Sequence, residues 1–217
     1  MTRPLEFSEG EFYHVYNRGT EKRKVFLNRN DYARFTALLY ICNSNEPVHI
    51  QDTPPQTIFS TPRSETYTEI GAYCLMPNHF HLLLYEKTAE GISKFMQKLL
   101  TAYTMYFNKK YNRSGALFQG KFKARHVDKD EYLKYLISYI HLNPIKLIDP
   151  DWKERGISDK SKAEQFLNTY EHSSYLDFLG DERAKEVIIN REILPDYFET
   201  KQNFKSCVTE WLNYNNT

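Results

Sequence analysis

The stretch that most constrains the fold runs from Ile70 to Leu84. An apolar run to Leu75 meets a Met76-Pro77-Asn78 corner and continues as His79-Phe80-His81-Leu82-Leu83-Leu84. Pro-Asn is turn chemistry, so the two runs predict a β-hairpin. Side chains on a strand alternate faces. Phe80, Leu82 and Leu84 therefore share one face, suited to burial beneath helices. His79 and His81 share the other, their Cα atoms roughly 7 Å apart. Two imidazoles side by side on a strand can share one divalent metal ion. A lone His-x-His pair is more often surface decoration or a satisfied core pair, so the metal reading depends on the rest of the chain.

Other elements can be read around this hairpin. Phe12 to Gly19 is an aromatic, β-branched run closed by glycine, a first strand with Tyr13, Val15 and Asn17 on one face and His14, Tyr16 and Arg18 on the other. Asn30-Asp31 is expected to cap a helix with Phe35, Leu38, Leu39 and Cys42 at helical spacing. The Pro-, Thr- and Ser-rich stretch from Pro47 to Glu65 predicts a strand fragment and then a mobile surface loop. A long helix is expected from Gly91 to Tyr111 on the period of Ile92, Phe95, Met96, Leu99, Leu100, Tyr103 and Phe107. Leu117 to Val127 predicts an extended segment in which Lys121, Lys123 and Arg125 alternate with Phe122 and Ala124. Such cations can block edge pairing, and with interleaved aromatics they can also hold nucleic acid.

Asp128 or Asp130 should cap a further helix, from Glu131 to Asn143, stopped by Pro144. Leu133, Leu136, Ile137 and Ile140 form its buried stripe. Tyr132, Tyr135, Tyr139 and Asn143 form a second stripe, with Tyr139 and Asn143 one turn apart. The rest of the chain predicts short helices anchored by Trp152, Phe166, Tyr170, Tyr175, Phe178, Leu179 and Trp211. The order β-α-β-β-α-β-α predicts an α+β, ferredoxin-like split fold on one antiparallel sheet. The expected division is residues 1–149 as the main domain and 150–217 as a helical extension packed on it.

At 217 residues the chain can bury a sizeable core, and its net charge of +1 gives no global signal for nucleic acid or membrane. The average hides an asymmetry. From Gly91 to Val127 there is no acidic residue, while Lys94, Lys98, Lys109, Lys110, Arg113, Lys121, Lys123 and Arg125 fall inside. Three scattered cysteines, Cys42, Cys74 and Cys207, form no CxxC pair and argue for a reducing compartment. With no signal-peptide core and no membrane-length apolar run, a cytoplasmic protein is expected.

Several stretches together resemble the single-tyrosine HUH transposases, and within them the REP-associated tyrosine transposases. They are Tyr13-His14-Val15-Tyr16-Asn17-Arg18-Gly19, Met76-Pro77-Asn78-His79-Phe80-His81, Gly115 to Val127, Tyr139-Ile140-His141-Leu142-Asn143-Pro144 and Glu171-His172-Ser173-Ser174-Tyr175. The resemblance covers about Phe12 to Gly180; each motif is weak alone and specific in combination. It implies that His79 and His81 form the HUH motif, that Asn143 is the third metal ligand and that Tyr139 is the nucleophile. Tyr132 and Tyr135 remain rivals for that last role. It also implies Mg²⁺ or Mn²⁺ as the ion, hairpin-containing single-stranded DNA as the substrate, and a monomer rather than a dimer. Arg18, Lys121, Lys123 and Arg125 are expected to contact the nucleic acid. Two readings from other classes stay open: a non-catalytic single-strand binding module, and a metal-dependent phosphodiesterase in which water attacks.

Overall fold

A computed structural model of the chain describes residues 6–46 and 57–213, with side chains described up to residue 210. Four strands form one antiparallel sheet: β1 (Phe12–Arg18), β2 (Thr68–Met76), β3 (His79–Glu86) and β4 (Lys123–Val127), in the order β2-β3-β1-β4. Helix α1 (Arg29–Ile41) joins β1 to β2, and α2 (Gly91–Lys110) joins β3 to β4. That order and alternation is the ferredoxin-like split β-α-β arrangement. Helix α3 (Asp130–Leu142) follows β4. Short helices α4 (Trp152–Arg155), α5 (Lys160–Leu167) and α6 (Tyr175–Phe178) and the longer α7 (Lys201–Asn213) complete the chain.

The alternation read from the hairpin sorts the core into two layers. Phe80, Leu82 and Leu84 join Tyr13, Val15, Tyr73 and Leu75 against Phe35 and Leu39 of α1 and Phe95, Leu99 and Tyr103 of α2. The opposite face sends Ala72, Cys74, Met76 and Leu83 against Leu133, Leu136, Ile137 and Ile140 of α3, together with Leu167, Phe178 and Phe204 of the tail. Pro77 and Asn78 form the two-residue turn between β2 and β3. Gly91 admits no side chain: a Cβ there would lie 2.1 Å from the Tyr67 carbonyl oxygen.

Local details differ from expectation for identifiable reasons. The α1 cap is Asn28, whose side chain accepts from the Asn30 and Asp31 amides. Asp31 instead occupies the third helical position of a capping box and is fully buried, accepting from Lys110 Nζ at 2.6 Å and the Tyr111 hydroxyl at 2.7 Å. For α3 the cap position falls on Lys129, which makes no side-chain cap bond, and Asp130 enters the first turn, where its carboxylate accepts from the Tyr197 hydroxyl. Pro144 ends the α-helix yet opens a 3₁₀ turn, Asn143–Leu147. The extended segment expected from Leu117 contracts to β4 because Gly120, at φ +70°, breaks it; Phe118 makes only an isolated bridge to Gly19, and Lys121 precedes the strand. Of the stretch expected to be a strand fragment and loop, residues 47–56 lie outside the described residues, and the rest carries a 3₁₀ turn at Ile58–Ser60. The Trp211 side chain, an expected anchor, also lies outside them.

The Glu171–Tyr175 motif covers part of the β2 edge of the sheet. Leu75 N donates to the His172 carbonyl at 2.9 Å, and Ser174 N donates to the Tyr73 carbonyl at 3.0 Å. Covering an edge this way satisfies backbone groups that would otherwise invite pairing with another chain. His141 of α3 ties in beside it, its Nε2 2.8 Å from Ser174 Oγ.

Candidate active site

The antiparallel register sets the residues of one sheet face side by side. Tyr16 lies opposite His81 and Arg18 opposite His79 across β1 and β3. On the other side of β1, Lys123 lies opposite Tyr16 and Arg125 opposite His14. The face that α1 and α2 do not cover therefore gathers three imidazoles and several cations, and α3 packs across part of it.

His79 and His81 meet edge to face, their ring centroids 5.0 Å apart at 90°. His79 Nδ1 is 2.7 Å from Asn78 Oδ1. An amide oxygen can only accept, so Nδ1 carries the proton and Nε2 keeps its lone pair in the neutral ring. His81 Nδ1 is 2.8 Å from His14 Nε2, with the two rings stacked. The corresponding tautomer has His81 Nδ1–H donating to His14 and likewise frees Nε2 to ligate. Burial and the neighbouring charge of Arg18, Lys153 and Lys146 lower the His79 pKa to about 4. Burial, then His14, His79 and Lys153, hold His81 well below the usual imidazole range. Burial, then Arg125 and Lys153, lower His14 to about 4. All three are neutral near pH 7, the form in which imidazole binds a metal.

Asn143 caps the C-terminus of α3 and is buried, its side-chain nitrogen donating to the Tyr139 carbonyl at 2.8 Å. The amide oxygen is thus the atom left to ligate. Among the described residues no group of three or more His, Cys, Asp or Glu side chains is placed to hold a metal ion. A metal on this face would rest on two imidazoles and the Asn143 amide. Neutral nitrogen donors, His81 buried and His79 half-buried, whose second nitrogens are already engaged fit such an ion.

Tyr139 stands over these groups. Its ring meets His81 edge-on at 5.4 Å, and its hydroxyl accepts from Lys153 Nζ at 2.9 Å. Tyr132, Tyr135 and Tyr139 stack in succession at 6.0 and 5.7 Å. Arg125 lies over Tyr132, 4.4 Å from its ring. Of the three phenols, only Tyr139 lines the cavity of about 730 Å³ that also contains His79, His81 and Asn143.

Arg18, Lys22, Lys24, Lys123, Lys146 and Lys153 line that cavity, and among the described residues no carboxylate does. A concave surface with cations of one sign focuses an attractive field for phosphates. Of the four cations expected to contact nucleic acid, Arg18 and Lys123 are in this lining. Lys121 and Arg125 lie outside the cavity lining. Lys22 and Lys24 went unnoticed although Lys22-Arg23-Lys24 is a visible basic run after the first strand. Lys146 and Lys153 carried no local signal.

A family model described as "Transposase IS200 like" matches residues 12–143. The chain belongs to the IS200-like transposase family. Among solved structures, the chain resembles a REP-associated tyrosine transposase bound to a REP hairpin, with a TM-score of 0.50 over 85% of this chain and 89% of that one. At 12% identity this is a likeness of fold. No curated protein matches the sequence. The family match ends at Asn143, so Lys146 and Lys153, which also line the cavity, lie beyond it. Among the described residues no helix is long and apolar enough to cross a membrane.

Proposed function

We propose that this transposase is a single-strand DNA endonuclease and strand transferase in which Tyr139 forms a covalent link to DNA. One observation carries the reading: the Tyr139 side chain shares a cation-lined cavity with His79, His81 and Asn143. The unit assigned this chemistry is residues 1–149, with residues 150–217 as a helical extension whose described side chains pack against it. The relative of known structure binds a REP hairpin, which favours hairpin-containing single-stranded DNA as the substrate here.

His79, His81 and Asn143 would hold a divalent ion, Mg²⁺ or Mn²⁺. Once bound, such an ion supplies Lewis-acid polarisation and orientation of the scissile phosphate. The chain's own groups do the rest. Arg18 and Lys123 hold backbone phosphates in the cavity and set the strand's direction. The Tyr139 oxygen attacks phosphorus; its bond to phosphorus forms as the bond to the 3′-oxygen breaks, leaving a 5′-phosphotyrosine and a free 3′-hydroxyl. Attack by a 3′-hydroxyl on that phosphotyrosine reverses the step and rejoins DNA, since the phosphodiester energy is retained in the adduct.

The test is covalent trapping of end-labelled hairpin DNA with Mn²⁺ on a denaturing gel. Wild type is expected to give a protein–DNA band that EDTA abolishes and that Tyr139→Phe does not form. Cleavage with no trapped band, surviving in Tyr139→Phe, would replace this reading with a water-attacking phosphodiesterase. Hairpin binding with neither product would leave a binding module.

A further inference from the structure

We propose that Lys153, contributed by the C-terminal extension, is a catalytic residue that stabilises the negative charge on the Tyr139 oxygen as the nucleophile forms and as it departs. The inference rests on the function proposed above. Lys153 lies in α4, outside the matched residues 12–143, yet its Nζ is 2.9 Å from the Tyr139 hydroxyl and 4.1 Å from the ring centroid. The ammonium therefore sits beside the oxygen of a phenol whose ring meets His81 edge-on.

Local structure holds it there. The 3₁₀ turn after Asn143 reverses the chain; Asp149 N donates to the Ile145 carbonyl at 2.8 Å, and the Asp149 carboxylate accepts from Ser158 N and Oγ at 2.9 and 2.8 Å. Between these bonds lies α4, with Trp152 packed against the second core layer. Lys153 thus returns to a tyrosine fourteen residues earlier. Lys123 and Lys146 line the same cavity, but no hydrogen bond joins either to Tyr139.

The chemistry needs such a group on this atom. A phenol is a poor nucleophile until it loses its proton, and its ordinary pKa is about 10. In the forward step the phenolic proton passes to water, the oxygen bonds to phosphorus, the bond to the 3′-oxygen breaks, and that oxygen takes a proton from water. Rejoining runs the same exchange backwards, with the phenolate as leaving group. Lys153 keeps its protons in both directions and acts by charge and hydrogen bonding, so it lowers both barriers. A preorganised donor aimed at developing charge typically contributes about 10²–10³-fold in rate.

The experiment compares full-length wild type with K153M, K153Q and K153R for the rates of adduct formation and rejoining on hairpin DNA with Mn²⁺, and measures hairpin affinity for each by fluorescence anisotropy. Met keeps the packing on the ring and Gln keeps a donor, but both lose the charge. Both are expected to slow cleavage and rejoining by about 10²–10³-fold at saturating hairpin, beyond any loss of hairpin affinity. K153R, which keeps charge and donors, should recover to within about tenfold of wild type. Placing 3,5-difluorotyrosine at position 139, a more easily ionised phenol, should speed K153Q more than wild type; a residue that merely holds the ring would not produce that rescue. Should K153M fail to fold, K153Q against K153R decides the matter. Adduct formation at the wild-type rate in K153Q, or equal slowing in K153Q and K153R, would overturn the role of Lys153 and leave Tyr139 standing. Absence of any adduct in wild type would overturn both.

Discussion

The two faces of one sheet have been put to opposite uses, and β3 shows the contrast residue by residue. Phe80 is fully buried against α1 and α2, in a layer where Tyr13, Val15, Tyr73 and Leu75 complete an apolar contact surface. His81, the next residue, is nearly as buried on the other side but faces His14, His79 and Tyr139. The first face gains stability from area removed from water. The second surrenders part of that gain by burying imidazoles, which stay neutral, and recovers some of it through hydrogen bonds from His81 to His14 and from His79 to Asn78. Covering one face completely is what leaves the other free to hold chemistry at its edge.

That contrast can be broken most sharply at adjacent residues. His81→Ala should reduce metal-dependent adduct formation to background while leaving urea stability within about 1 kcal/mol, the net scale of one hydrogen bond. Phe80→Ala should do the reverse in kind, costing about 3–5 kcal/mol of stability through the cavity it leaves. Equal loss of stability in both variants would mean that the imidazole face is as structural as the apolar one. A smaller effect is expected at His14, which hydrogen-bonds His81, one of the ligands proposed above. His14→Ala should weaken Mn²⁺ binding by about 10–100-fold, read by calorimetry on the DNA-free protein. Unchanged affinity would show that the His14–His81 bond has no part in orienting the ring.

Acid should separate the two faces more gently. The pKa values of His14, His79 and His172 are lowered to about 4 and that of His141 to about 3, in each case chiefly by burial. The unfolded chain takes up protons at these sites below about pH 6.5, and the folded chain does not until about pH 4. Their stabilising contribution is therefore complete above about pH 6.5 and is lost as pH falls towards 4. The urea midpoint of the metal-free protein should be flat above about pH 7 and decline across that window; a midpoint that rose on acidification would contradict the neutral imidazoles on this face.

Much of this was legible in the sequence because it depends on short-range periodicity. Alternation alone separated Phe80, Leu82 and Leu84 from His79 and His81, and His14, Tyr16 and Arg18 from Tyr13, Val15 and Asn17; helical spacing placed Tyr139 over Asn143. The caps differ from the expected residues: α1 starts after Asn28, whose side chain closes the cap bonds, whereas α3 starts after Lys129, which closes none, so no side-chain signal marks that start. The run of three cations lost Lys121 after Gly120, the glycine that already interrupts this segment in the sequence and whose positive φ keeps Lys121 out of β4.

What the sequence determined by itself, then, is the order of elements, the face on which each histidine lies and the family to which they belong, because these follow from periods of two and 3.6 and from motifs a few residues long. Which groups meet across the chain was decided by the tertiary structure. His14 reaches His81 over a separation of 67 residues through strand register, and Lys153 reaches Tyr139 only because a 3₁₀ turn and an Asp149–Ser158 clasp fold the extension back over α3. Neither contact leaves a local pattern, since each depends on the closure of a loop whose path is set by packing elsewhere.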